Sequence, residues 1–123
     1  MLRLRIKANI SFLVDTGADE GLIMPSDGLR IGLDYKKLKN AKTYTGIGGD
    51  AQVYPEKALV TFADQKYIFT YDVTLGVSAI NKQLMDAPSL LGRDIINRWR
   101  MIYCAAKRQV DFKVISADFT HRV

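Results

Sequence analysis

The stretch Phe12-Leu13-Val14-Asp15-Thr16-Gly17-Ala18-Asp19-Glu20 decides how the rest of the chain is read. Ile10, Phe12 and Val14 alternate with Ser11 and Leu13, the period of a strand buried on at least one face. The run delivers the backbone to Asp15 and then breaks at Gly17, which permits a sharp turn and close backbone approach. A carboxylate at the end of a buried strand is costly unless it is paired or does chemical work. Thr16 sets a hydroxyl beside it. Taken alone, the triplet also fits a turn aspartate hydrogen-bonded to its own backbone.

Two further stretches follow in order. Thr45-Gly46-Ile47-Gly48-Gly49 is a glycine-rich corner between segments of strand character, the pattern of a hairpin with a flexible tip. No lysine follows these glycines and no helix pattern starts there, which disfavours a phosphate cradle. Ser89-Leu90-Leu91 reads as a short buried strand, and Gly92-Arg93-Asp94 opens a helix with Asp94 at its positive end. Ile95, Ile96 and Trp99 fall at helical spacing and should face the core.

Taken in order, Leu13 to Asp19, Thr45 to Gly49 and Leu90 to Ile96 resemble the catalytic loop, the flap tip and the Gly-Arg-Asp/Asn helix start of the retropepsins. These are the single-domain aspartic proteases of retroviruses and their cellular relatives. The resemblance implies an all-β fold, a closed barrel or sandwich with a flap hairpin and one short helix in the C-terminal half. It implies Asp15 as the catalytic acid, supported by Thr16, Gly17, Asp19 and Arg93. Thr16 would bond across a dimer, and Asp19 and Arg93 would form an ion pair at the foot of the site. Substrate contacts would come from Gly17, Ala18, Asp19, Glu20, Leu22, Thr45, Gly46, Ile47 and Leu90. No cofactor is implied.

Peptide hydrolysis by carboxylates needs two of them around one water, one as base and one as acid. The chain supplies a single Asp-Thr-Gly. A homodimer whose two-fold axis brings two copies of Asp15 together meets that need. The implied activity is an aspartic endopeptidase acting on peptide or protein substrates. The alternative is a non-catalytic dimerisation or peptide-binding module of the same fold.

Composition limits the other classes. The 123 residues are 48% apolar, enough for one domain with a core. No apolar run is long enough to span a membrane, and Met1 to Arg5 alternates charge with apolar residues, unlike a signal peptide. Cys104 is alone, which together with the missing signal points to a reducing, cytoplasmic setting. The net charge of +5 gathers at Lys36, Lys37, Lys39 and Lys42 and at Arg98, Arg100, Lys107 and Arg108. Few aromatic residues interleave with these, so a solvated face is favoured over nucleic-acid binding. His121 stands apart, and no metal-ligand cluster is apparent.

The remaining segments complete the expectation. Leu2, Leu4 and Ile6 suggest an opening strand, Pro25-Ser26-Asp27-Gly28 a turn, and Leu33 to Leu38 and Ile80 to Met85 short helical turns. Residues 1–115 form the protease domain and 116–123 a mobile tail. Viral retropepsins carry a longer segment before the catalytic loop. Here 14 residues precede Asp15 and 29 follow Asp94, closer to cellular and bacterial relatives. The terminal hairpin, with Ile102 and Cys104 on one strand and Val110, Phe112 and Val114 on the other, is expected to carry an apolar face and a free edge that holds the dimer.

Overall fold

The alternation of Tyr71, Val73, Leu75 and Val77 builds the spine of the fold. In the computed structural model, which describes residues 7–46 and 49–123, these residues lie on β5 (Tyr67–Ser78), and Tyr71, Leu75 and Val77 are buried. β5 runs antiparallel to the 15-residue β4 (Gly49–Ala63), in register from Val53↔Ser78 to Ala63↔Ile68. Asp64 shapes the turn between them. Its carboxylate accepts the N–H groups of Tyr67 and Lys66, and these bonds hold its pKa below the usual value. At Val53, β4 changes partner, and residues before it pair with β3 (Lys42–Gly46). Past that point β4 has no described partner on its other edge, and Pro55, which has no N–H to donate, sits there.

On the other flank β2 (Leu22–Ile23) lies parallel to β5, β6 (Ser89–Leu91) antiparallel to β2, and β1 (Phe12–Val14) parallel to β6. The order β1-β6-β2-β5-β4-β3 makes one curled sheet, a half-barrel, and the fold is all-β and retropepsin-like as expected. The opening strand expected over Leu2 to Ile6 lies outside the described residues.

Three expectations need correction. The turn at Pro25 is instead a short helix, α1 (Pro25–Arg30), so α2 (Arg93–Ile96) is not the single helix. Pro25 occupies the first helical position, where a missing N–H costs nothing, and Asp27 sits in the first turn. Gly28 makes room for the Tyr35 hydroxyl, which a Cβ there would strike.

The C-terminal tail is not loose. Phe119–Arg122 forms β9, paired antiparallel with Tyr67 to Thr70 of β5. Asp118 anchors its start, accepting the Asp72 N–H at 2.7 Å and pairing with Arg98 at 2.8 Å.

The third correction concerns the terminal hairpin, β7 (Trp99–Cys104) and β8 (Gln109–Val114). Its register sets Trp99 opposite Val114, Met101 opposite Phe112 and Tyr103 opposite Val110. These six side chains share the apolar face, while Ile102 and Cys104 lie with Arg100, Asp111 and Lys113. Trp99 decides the matter, since it must reach the core and thereby fixes the parity of its strand.

The core has two centres. Tyr71, Leu91, Ile95, Ile96 and Trp99 form one; Ile23, Leu75 and Val77 form the other; Phe12, Val60 and Val73 pack against both. The Trp99 indole donates to the Tyr71 hydroxyl at 2.7 Å, and that hydroxyl donates to the Ser116 carbonyl at 2.8 Å. Both polar atoms of this aromatic pair are therefore satisfied at burial. Among the described residues no helix is long and apolar enough to cross a membrane.

Candidate active site

β1 ends at Val14, and the next N–H, of Asp15, donates to the Leu91 carbonyl at 3.0 Å, extending the parallel pairing with β6 by one bond. The chain then turns. The Ala18 N–H reaches the Asp15 carbonyl at 3.2 Å, and the Gly17 N–H donates to Asp15 Oδ1 at 2.9 Å. The turn-aspartate bond foreseen from sequence is thus present, and it fixes one carboxylate oxygen while the other has no partner among the described residues. Asp15 is half-buried; Thr16 and Gly17 are exposed. A Cβ on Gly17 would stand 3.2 Å from Asp15 Oδ1, so a larger residue there would crowd the carboxylate.

The loop is braced from α2. A helix start leaves its first N–H groups without partners. Here the Arg93 N–H donates to the Ala18 carbonyl at 2.8 Å and the Asp94 N–H to the Asp19 carbonyl at 3.1 Å. The loop supplies the helix with acceptors, and the helix holds the loop. Gly92 makes the approach possible, because a Cβ there would run into the Glu20 backbone and lie 2.8 Å from the Gly21 nitrogen. The Arg93 guanidinium pairs with the Asp19 carboxylate on the exposed side. Asp94 Oδ1 accepts the Ile95 N–H at 3.0 Å, and Oδ2 accepts the Gly21 N–H at 3.4 Å.

Beneath β6 a second brace ties α1 to the same strands. Ser89, fully buried, accepts the Met24 N–H at 2.9 Å and donates to Asp27 Oδ2 at 2.6 Å. The Ser89 bond, and after it the bond and charge of Arg30, hold the Asp27 carboxyl below the usual carboxylate range despite partial desolvation.

The structure therefore gathers Asp15, Thr16, Gly17, Ala18, Asp19 and Arg93 into one braced loop. Leu22 and Leu90 face each other across β2 and β6, both half-buried. Glu20 lines a small hollow of about 80 Å³ with Lys42, Tyr44, Val53, Pro55, Thr74 and Gly76. Thr45 lies on the β3–β4 hairpin, its hydroxyl donating to Asp50 at 2.8 Å, and Gly46 pairs with Gly49. Ile47 lies outside the described residues. The sequence reading missed the other walls of the hollow, which carry no local signal and are assembled only by strand register. No cluster of His, Cys, Asp or Glu among the described residues could hold a metal ion.

A curled β-sheet, an Asp-Thr-Gly loop at a strand end and a Gly-Arg-Asp helix brace together define the class of single-domain aspartic proteases. Residues 1–102 match the family model of the retroviral aspartyl protease, and the chain belongs to that family. It is also similar to a solved structure, a retropepsin-like aspartic protease from Rickettsia conorii, at 25% identity and a TM-score of 0.56. That match covers 77% of this chain and 74% of the other. No curated protein sequence matches.

Proposed function

We propose that the chain is an aspartic endopeptidase that works as a homodimer, each subunit contributing one Asp15. The observation that carries the proposal is the state of Asp15: half-buried at a strand end, one oxygen fixed by the Gly17 N–H, on a loop held by α2. Such a group is rigid and still open to a partner. Two carboxylates about 3 Å apart cannot both ionise, so the pair holds one proton between them, the aspartic proteases being the established case. The ionised carboxylate takes a proton from water as the water oxygen bonds to the scissile carbonyl carbon. The protonated partner donates to the carbonyl oxygen. The tetrahedral intermediate then collapses, the C–N bond breaks, and the leaving nitrogen takes up a proton from the dyad.

The peptide lies extended between the β3–β4 hairpin, acting as flap, and the floor at Gly17, Ala18 and Leu90, held by strand-like backbone bonds. Thr16 bonds across the two-fold axis and keeps the two loops in step. Glu20, with Leu22, shapes the pockets for side chains. Replacing Asp15 by Asn tests the proposal. The variant should keep fold and dimer and lose all measurable cleavage of a mixed peptide library, since an amide cannot serve as base. Cleavage equal to the wild type would overturn it. The wild-type rate should also be bell-shaped in pH with its optimum on the acid side, because the active form needs one carboxyl ionised and one protonated. A rate that climbs steadily into alkaline solution would point to other chemistry.

A further inference from the structure

We propose that the aromatic-walled hollow between the β4–β5 turn and the terminal hairpin binds a free aromatic α-amino acid, its ammonium held by Asp64 and its carboxylate by Lys113. The hollow is remote from the proteolytic site proposed above. It lies at the Phe62↔Phe69 end of the β4–β5 ladder, roughly 30 Å of strand from Val53, which borders Glu20.

The walls call for a ring. Phe62, Phe69, Trp99 and Phe112 line a space of about 390 Å³, inside the range of roughly 300–1,000 Å³ that small-molecule sites occupy. The Phe62 and Trp99 rings meet edge to face, with centroids 4.8 Å apart and planes at 88°. Phe112 tilts against Trp99 at 5.1 Å and 57°, and keeps 37% of its surface exposed. Rings set at such angles offer both edges and faces to one more ring in the same kinds of contact. An empty space there forfeits dispersion contacts of its lining, and a flat aromatic group restores them.

Two charges decide what else the ligand carries. Asp64 and Lys113 line the same hollow from separate elements, the β4–β5 turn and β8. They do not pair with each other, and neither forms an ion pair among the described residues. Both turn N–H groups, of Lys66 and Tyr67, go to Asp64 Oδ1, so Oδ2 has no partner among the described residues. Those bonds keep the carboxyl below its usual pKa and so charged at neutral pH. Lys113 stands opposite Arg100 in the hairpin register, a like-charge pair that a ligand carboxylate relieves. The carboxylate two residues back, Asp111, is engaged by the Gln109 side-chain amide at 2.9 and 3.0 Å. A fatty acid would leave Asp64 without a cation, and an amine alone would meet Lys113. The zwitterion of an aromatic amino acid answers both charges and fills the space between the rings. Such amino acids are end products of peptide hydrolysis.

Trp99 is the single tryptophan of the chain, so its fluorescence, excited where phenylalanine does not absorb, reads occupancy of the hollow directly. Titrating the full chain with L-phenylalanine should give a saturable change with a dissociation constant on the order of 1 mM or tighter. Phenethylamine, which lacks the carboxylate, and hydrocinnamate, which lacks the ammonium, should each bind at least about tenfold more weakly. L-alanine, which has no ring, should give no signal. Asp64→Asn keeps an oxygen for the two turn N–H groups and removes the charge. It should weaken L-phenylalanine about tenfold and leave hydrocinnamate unchanged. Lys113→Gln should weaken L-phenylalanine and leave phenethylamine unchanged. Circular dichroism checks the fold of each variant. Hydrocinnamate or phenethylamine binding as tightly as L-phenylalanine, or variants that bind it like the wild type, would overturn the inference. So would a fluorescence that none of the ligands alters. A Trp99 signal that instead changes with chain concentration would give the hollow to a second copy.

Discussion

Asp27 shows how a single carboxylate couples the frame of the site to pH. Its folded-state pKa is depressed, first by the Ser89 hydroxyl and then by Arg30. A depressed carboxylate contributes stability that is fully present above its unfolded pKa and is lost as pH falls through the folded one. Ser89→Ala removes the main cause and strands the Met24 N–H in a buried position. Its expected cost near neutral pH is about 1–3 kcal/mol by urea unfolding. The loss should shrink in strong acid, where Asp27 is protonated in both proteins; a difference that stays constant across pH would show that Asp27 takes no part. At this scale the geometry of the candidate loop was legible. Asp15, Thr16 and Gly17 announce themselves because a turn after an apolar strand is a local event, and Gly92 and Arg93 because a helix start is one too. Lys42, Tyr44 and Thr74 did not, since their place beside Glu20 depends on a register set many residues away.

Elements were legible where their period is clean and obscure where a non-local polar contact decides. The alternation of Tyr67, Phe69, Tyr71 and Val73 marks β5, and that of the terminal segments marks the two hairpin strands, but which face of the hairpin is apolar is set by Trp99. The tail is not marked in this way, because what fixes Phe119–Arg122 is Asp118, whose two partners, Asp72 and Arg98, are 46 and 20 residues away. The Asp72 N–H, and then Arg98, hold the Asp118 carboxyl below its usual pKa, so this anchor too is strongest above the carboxylate range and weakens as pH falls. Arg98 is committed a second time, its guanidinium 5.0 Å from the centre of the Tyr71 ring. Asp118→Ala should therefore free β9 without dissolving the core. Amide exchange at residues 119–122 and at their partners on β5 should speed up by tenfold or more, with Leu75 and Val77 unchanged. Uniform acceleration would mean that the tail is part of the cooperative core, and no change that β9 is held by backbone pairing alone. Helix α1 was missed for a different reason: Pro-Ser-Asp-Gly is as good a turn as it is a helix start, and only the packing of Gly28 under Tyr35 separates the two.

At the scale of the molecule, the proposed function makes the chain half of a chemical device. One Asp15 at the end of β1 can position a water but cannot also act as its own acid partner, so on that proposal function belongs to the pair and concentration becomes a variable of the site. The terminal hairpin, expected from sequence to hold a dimer, offers in β8 an edge of only six residues. Such an edge falls well short of the roughly 1,600 Å² total of a standard specific interface. In the proposed dimer the two Asp15 loops would contribute the remainder, with Leu13 and Val14, exposed at 54% and 37%, as apolar surface beside them. Assembly and catalysis then draw on the same contacts, and a dimer of this kind should dissociate within an accessible range. Far below the dissociation constant the dimer concentration varies as the square of the total chain, and far above it in direct proportion. The initial rate of peptide cleavage, plotted logarithmically against enzyme concentration, should therefore bend from a slope of one to a slope of two on dilution. The bend should fall at the midpoint that sedimentation gives for dissociation. Adding chain inactivated by Asp15→Asn sharpens the experiment, because mixed dimers hold one carboxylate and one amide. An excess of the inactive chain should suppress the rate wherever subunits exchange. A slope of one persisting below the sedimentation midpoint would mean that a single chain carries the whole site.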